Sequence, residues 1–147
     1  MTHLRFTIRD LLWLTLVVAV AIHGCRPGQR DMTDPLPPLA DVESIEIDCD
    51  EPSSMGQPFK FVVPPEHWKN VLDALRPAFR DDNPAKWVWL GKATITRKAA
   101  NPAMVFLFEV SEGPGAFAVG KKWEDRIYYR GGDSAKLKTA IESARSN

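Results

Sequence analysis

Hydrophobic and polar positions first alternate at residues 42–49, where Ile45, Ile47 and Cys49 fall on one side of an extended chain and Val42, Ser44 and Glu46 on the other. A strand with one apolar face and one polar, acidic face is predicted there. Phe59 to Val63 is a second short extended stretch, ended by Pro64-Pro65. The period then changes. Trp68, Val71, Leu72, Leu75 and Phe79 recur at i, i+3, i+4, i+7 and i+11, the stripe of an amphipathic helix, with Pro65 suited to its first turn and Pro77 closing it.

After the turn Asp81-Asp82-Asn83-Pro84, the run from Lys86 to Arg97 is rich in tryptophan and β-branched residues and predicts a long strand, with Gly91 marking a bulge. Asn101-Pro102 turns the chain into Met104 to Val110. There Met104, Phe106, Phe108 and Val110 share one face and Val105, Leu107 and Glu109 the other. Both faces are largely apolar, which places this strand at the centre of a sheet. Ser111 to Gly115 is a hairpin loop leading into Ala116 to Val119, and Ile127 to Arg130 is the last strand. Gly131-Gly132 then opens a C-terminal helix, capped by Asp133 or Ser134, whose buried stripe is Leu137, Ala140, Ile141 and Ala144.

That order predicts an α+β domain over residues 42–147, β-α-β4-α, with an antiparallel sheet packing one face on two helices and resembling TBP-like or helix-grip architectures. Such sheets host unrelated activities, so the topology alone names no function. Residues 26–41 carry Pro27, Pro35, Pro37 and Pro38 and predict an extended, polyproline-like linker.

Residues 1–25 have a different character. Arg5 and Arg9 precede an uncharged apolar run from Leu11 to Ile22, the layout of a signal or transmembrane segment. The 14 residues from Leu11 to Gly24 reach about 21 Å as a helix, short of the roughly 30 Å hydrocarbon core. Three outcomes are open. Ala19-Val20-Ala21 fits the small-x-small rule of signal peptidase; Ile22-His23-Gly24-Cys25 resembles a lipobox, which makes Cys25 a lipidation candidate; and an uncleaved segment would anchor the chain. Each puts the domain in the cell envelope, outside the cytoplasm.

The stretch from Arg5 to Val18, beginning Arg-Phe-Thr-Ile-Arg-Asp-Leu-Leu, resembles the leader of many uncharacterised planctomycete proteins, which begin Arg-Phe-Ser/Thr-x-Arg-x-Leu-Leu. The resemblance covers the leader alone. It implies an envelope setting, with the segment acting as anchor or export signal, and no particular activity.

Composition narrows the function classes. The chain has 147 residues, 44% of them hydrophobic, and its nineteen basic side chains balance nineteen acidic ones, so there is no overall positive field for nucleic acid. The two cysteines are Cys25 and Cys49, and a lipidated Cys25 leaves Cys49 unpaired, so no disulfide is expected. With His67 the domain's only histidine, no zinc spacing and no cofactor motif is present. Asp41, Glu43, Glu46, Asp48, Asp50 and Glu51 are dense but lack the glycine and terminal glutamate of a calcium loop, which favours a solvated strand face. Residues 26–82 carry six basic and twelve acidic side chains and residues 83–147 eleven and six; interleaving in a sheet would neutralise the two halves.

Trp87 and Trp89 lie two apart and so share a face, with Trp123, Tyr128 and Tyr129 on neighbouring segments. Stacked aromatics on an open sheet bind sugar rings or a protein partner; the plain alternative is packing beneath the helices. Trp87, Trp89 and Tyr128 are therefore the candidate binding residues. No catalytic group has a recognisable setting: Glu66 and His67 would need a concave pocket to act as a hydrolytic pair. The expectation is a non-catalytic, envelope-tethered module that binds another envelope protein or a ligand and touches the membrane through its N-terminal segment. A hydrolase-like domain and a lipoprotein carrying an apolar ligand are the alternatives.

Overall fold

Strand β1 (Val42–Cys49) buries Ile45, Ile47 and Cys49 and turns Ser44, Glu46 and Asp48 outward, as its alternation requires. The computed structural model describes residues 34–84, 87–110 and 114–146, which belong to one unit, Asp31–Asn147. The leader with its three outcomes, Cys25, the start of the proline-rich stretch and Ser111 to Gly113 lie outside the described residues. Among the described residues no helix is long and apolar enough to cross a membrane.

The other strands are β2 (Phe59–Val62), β3 (Ala78–Arg80), β4 (Val88–Arg97), β5 (Ala100–Glu109), β6 (Ala116–Gly120) and β7 (Ile127–Gly131). The helices are α1 (Trp68–Ala74) and α2 (Ser134–Arg145). All seven strands join one antiparallel sheet in the order β2-β1-β4-β5-β6-β7-β3. This corrects the expected α+β fold of β-α-β4-α order and its TBP-like or helix-grip likeness. Seven antiparallel strands dominate the described chain, and the two helices are short.

Two segments depart from what their own residues predict. The helical stripe was extended to Phe79, but α1 stops at Ala74, ahead of Pro77, and Phe79 pairs with Arg130 in β3. Three residues are too few to display an alternation, and only the free edge of β7 makes them a strand. Asn101-Pro102 was read as a turn, yet the chain reverses at Lys98-Ala99 and both residues lie in β5. Pro102 is tolerated because β6 pairs with β5 only from Met104 onward, leaving no partner there for a ladder N–H.

One face of the sheet packs under both helices. Ile45, Ile47, Leu90, Ala93, Ile95, Val105, Leu107 and Phe117 meet Val71, Leu72 and Ala74 of α1 and Leu137, Ala140, Ile141 and Ala144 of α2 in one cluster. The carboxylate of Asp133 caps α2 by accepting from the Ala135 and Lys136 amides. At the turn into α2, Gly131 has φ +153°, and a Cβ there would sit 1.8 Å from the Pro77 carbonyl oxygen. Only glycine allows β7 to pass that close to the chain entering β3.

The end of the proline-rich stretch is packed. Leu36 joins the core cluster and Pro37 is buried. The Arg76 guanidinium pairs with Asp34 at 2.6 Å and donates to the Pro37 carbonyl at 2.9 Å.

Candidate functional site

Among the described residues the second face of the sheet carries no helix, and its chemistry starts from one bulge. In β4, Trp89 pairs with Phe108 and Gly91 with Leu107, so Leu90 is the extra residue. Leu90 drops into the helix-covered core, while Trp89 before it and Lys92 after it both face the opposite side. Gly91 has φ +153°, and a Cβ on it would lie 2.7 Å from Cys49 Sγ and 2.8 Å from the Asp48 carbonyl. The glycine lets β1 and β4 approach where the bulge redirects the side chains.

A second apolar cluster forms there. Phe106 and Phe108 of β5, each 5% exposed, lie with Ala116 and Ala118 of β6, and Trp87, Trp89, Met104, Val110 and Tyr128 pack over them half-buried. The rings interlock edge to face or tilted: Trp87 sits 5.5 Å from Phe108 and 5.6 Å from Tyr128, and Trp89 5.8 Å from Phe108. Such pairs contribute about 0.5–1.5 kcal/mol each beyond area burial. The two phenylalanines are therefore a stabilising floor, and what faces solvent is the layer of rings above them.

The outermost ring is Trp123, on the β6–β7 connection. Its centroid is 5.4 Å from Phe106 and 5.7 Å from Trp89, nearly perpendicular to both, and it remains 45% exposed. The connection is shaped by Asp125, whose carboxylate accepts from the Lys121 amide at 3.0 Å and the Lys122 amide at 2.7 Å. Arg126 then locks the tryptophan. Its guanidinium lies 3.6 Å from the Trp123 ring centroid and donates to the Trp123 carbonyl, while its Nε donates to Tyr128 Oη at 2.5 Å.

Charged groups border the rings, one on an indole N–H and the others in opposite-sign pairs. Asp50 accepts from Trp89 Nε1 at 3.1 Å, Asp48 pairs with Lys92 at 3.2 Å, and Asp81 pairs with Arg130 at 3.1 Å. The Arg130 guanidinium lies 5.7 Å from the Trp87 ring. The acidic N-terminal half and the basic C-terminal half thus interleave across β1–β4 and at the β7 edge. Elsewhere on the strand Glu46 pairs with Lys60 at 2.9 Å. Among the described residues no group of three or more His, Cys, Asp or Glu is placed to hold a metal. Cys49, the one cysteine among the described residues, is a buried free thiol pushed up to about 11 by burial and then by Asp48 and Asp50.

All three candidate binding residues lie together on this face, away from the helices. Tyr129 does not; it stacks on Phe117 at 5.5 Å on the helix-covered side, as strand alternation from Tyr128 demands. Sequence reasoning missed Arg126 and the part Phe106 and Phe108 play beneath the tryptophans. The shared face of Phe106 and Phe108 was readable, but their pairing with Trp89 depends on the register of β4 on β5.

Glu66 and His67 sit in a 3-10 turn ahead of α1. Two described hollows, of about 360 and 480 Å³, are lined by Asp34, Asp73, Arg76, Pro77 and Ala78, and by residues of α1 and α2 including Asn70 and Thr139; neither takes in Glu66 or His67.

Comparison with protein-family models, curated proteins and solved structures gives no match for this chain.

Proposed function

We propose that this chain is an envelope-tethered, non-catalytic binding module that meets its partner through the helix-free aromatic face. The observation that carries the reading is Trp123: a large ring left 45% exposed although a guanidinium, a carboxylate-shaped turn and three other rings hold it in place. Rigid aromatic groups at a surface bind with little loss of side-chain entropy, and tryptophan, tyrosine and arginine are the residues that dominate binding energy at interfaces. The tether is supported by the Arg5 to Ile22 leader pattern.

Two measurements test the parts separately. Intact mass and membrane partition of the chain expressed with its leader should give a lipidated product beginning at Cys25 or an uncleaved membrane-bound chain; a released soluble product beginning near Ile22, or a full-length cytoplasmic protein, overturns the tether. For the face, a photo-crosslinking residue is placed at exposed Lys122, next to Trp123, or at exposed Lys136 on α2. The expected result is a discrete envelope adduct from position 122 that disappears with Trp123→Ala and is absent from position 136. Identical adducts from both positions overturn the reading.

A further inference from the structure

We propose that the exposed edge of the aromatic face is a subsite for a neutral saccharide. The inference rests on the binding-module reading above and specifies the ligand's chemistry. The rings of the subsite are Trp123 and Trp89, their centroids 5.7 Å apart and their planes 79° to each other. Around them stand Asp50, bonded to Trp89 Nε1 at 3.1 Å, and the Asp48–Lys92 pair at 3.2 Å; Lys92 is opposite Phe106 in the sheet, and Phe106 touches Trp123 at 5.4 Å. Arg126 closes the side next to Trp123.

The charges select the class. Two carboxylates, Asp48 and Asp50, are matched by two cations, Lys92 and Arg126, and beside Trp123 on its connection Lys121 and Lys122 are matched by Glu124 and Asp125, so the rim holds many donors and acceptors and no net charge. An anionic polymer would need a cationic excess, and a cationic peptide a carboxylate excess. A ligand that presents an apolar C–H face to a tryptophan and hydroxyls to planar carboxylate and ammonium groups meets both features at once. A neutral sugar ring has that chemistry. A purely apolar ligand is disfavoured, because it would desolvate Asp48, Asp50 and Lys92 without replacing their water contacts.

The test is a titration of the full-length chain, followed by tryptophan emission and calorimetry, with cellotetraose, maltotetraose and the tetramer of N-acetylglucosamine, and with tetragalacturonate as the anionic comparator. At least one neutral tetrasaccharide is expected to bind saturably in the millimolar range or tighter, and tetragalacturonate at least about tenfold more weakly. Trp123→Ala should weaken the neutral sugar at least about tenfold, while Trp123→Phe, which keeps a stacking ring, stays within about threefold, each titrated well below its own thermal midpoint so that the variant is folded. Saturable binding that Trp123→Ala leaves unchanged overturns the subsite, as does tighter binding of the anionic sugar. Silence towards all three neutral sugars also overturns it. If a Trp123-dependent crosslink from position 122 to an envelope protein persists in that case, the saccharide fails and the binding module stands; if that crosslink is absent too, both fail.

Discussion

Gly91 and Gly131 use the same backbone freedom at close approaches of different severity. Each has φ +153°, but Gly91 makes room for the Cys49 side chain and the Asp48 carbonyl, whereas Gly131 faces a backbone carbonyl at 1.8 Å that cannot move without shifting β3. Gly131→Ala should therefore cost more than about 3 kcal/mol, read as a large drop in the urea midpoint, through close contact and strain together. A neutral effect would mean that the turn into α2 is looser than this geometry requires. Cys49 gives a chemical readout at the same scale. Its thiol is buried and pushed up to about 11, so in a Cys25→Ser variant Cys49 should react slowly with a thiol reagent at pH 8 when native and rapidly once unfolded in urea. Equal rates in both states would contradict the packing of β1 against β4.

At the scale of elements, α2 is held by its cap, its stripe and one ion pair. Asp133→Ala removes the acceptor for two amides and should cost about 1 kcal/mol, while Ile141→Ala, at a fully buried position, should cost about 2–5 kcal/mol; denaturant curves separate the two. Glu109 of β5 is paired with Lys138 of α2, and the hydrogen bond from Lys138, helped by Ser54, holds its carboxyl below the ordinary value of 4.5. A depressed carboxylate stabilises the fold above the ordinary titration range, and that increment is lost as pH falls through the folded-state pKa. The stabilities of the parent and Glu109→Gln should therefore differ at pH 7 and converge as the solution is acidified below about pH 4. A constant gap would mean that the pair contributes nothing that depends on charge. These elements were also the most legible in the sequence: the stripe Leu137, Ala140, Ile141, Ala144 and the Ile45, Ile47, Cys49 alternation each carry several apolar residues at one period. Ala78–Arg80 and the extension of β5 over Asn101-Pro102 were not legible, because what makes them strands is the edge of β7 and the partner β4, not their own residues.

At the scale of the whole molecule, the sheet has two different faces: one covered by helices around a dry core, the other carrying rings and paired charges. Central strands should then hold their amides longest. Hydrogen exchange is expected to be slowest at Val105–Phe108 of β5, with a paired strand on both sides, and fastest in the three-residue edge strand β3. Uniform protection across the sheet would contradict that arrangement. The candidate face was half legible: two tryptophans two apart declare a common side, but only the register shows that Phe106, Phe108 and Trp123 join them.

The Arg76 contacts with Asp34 and Pro37 acquire a mechanical meaning when the N-terminal side of the chain is pulled. The load meets this clasp first, and then enters β1, which has β2 on one side and β4 on the other. Hydrogen bonds that run across a strand resist a pull along it together rather than one by one, so traction on Asp34 directed along β1 is borne in shear by its ladders to β2 and β4.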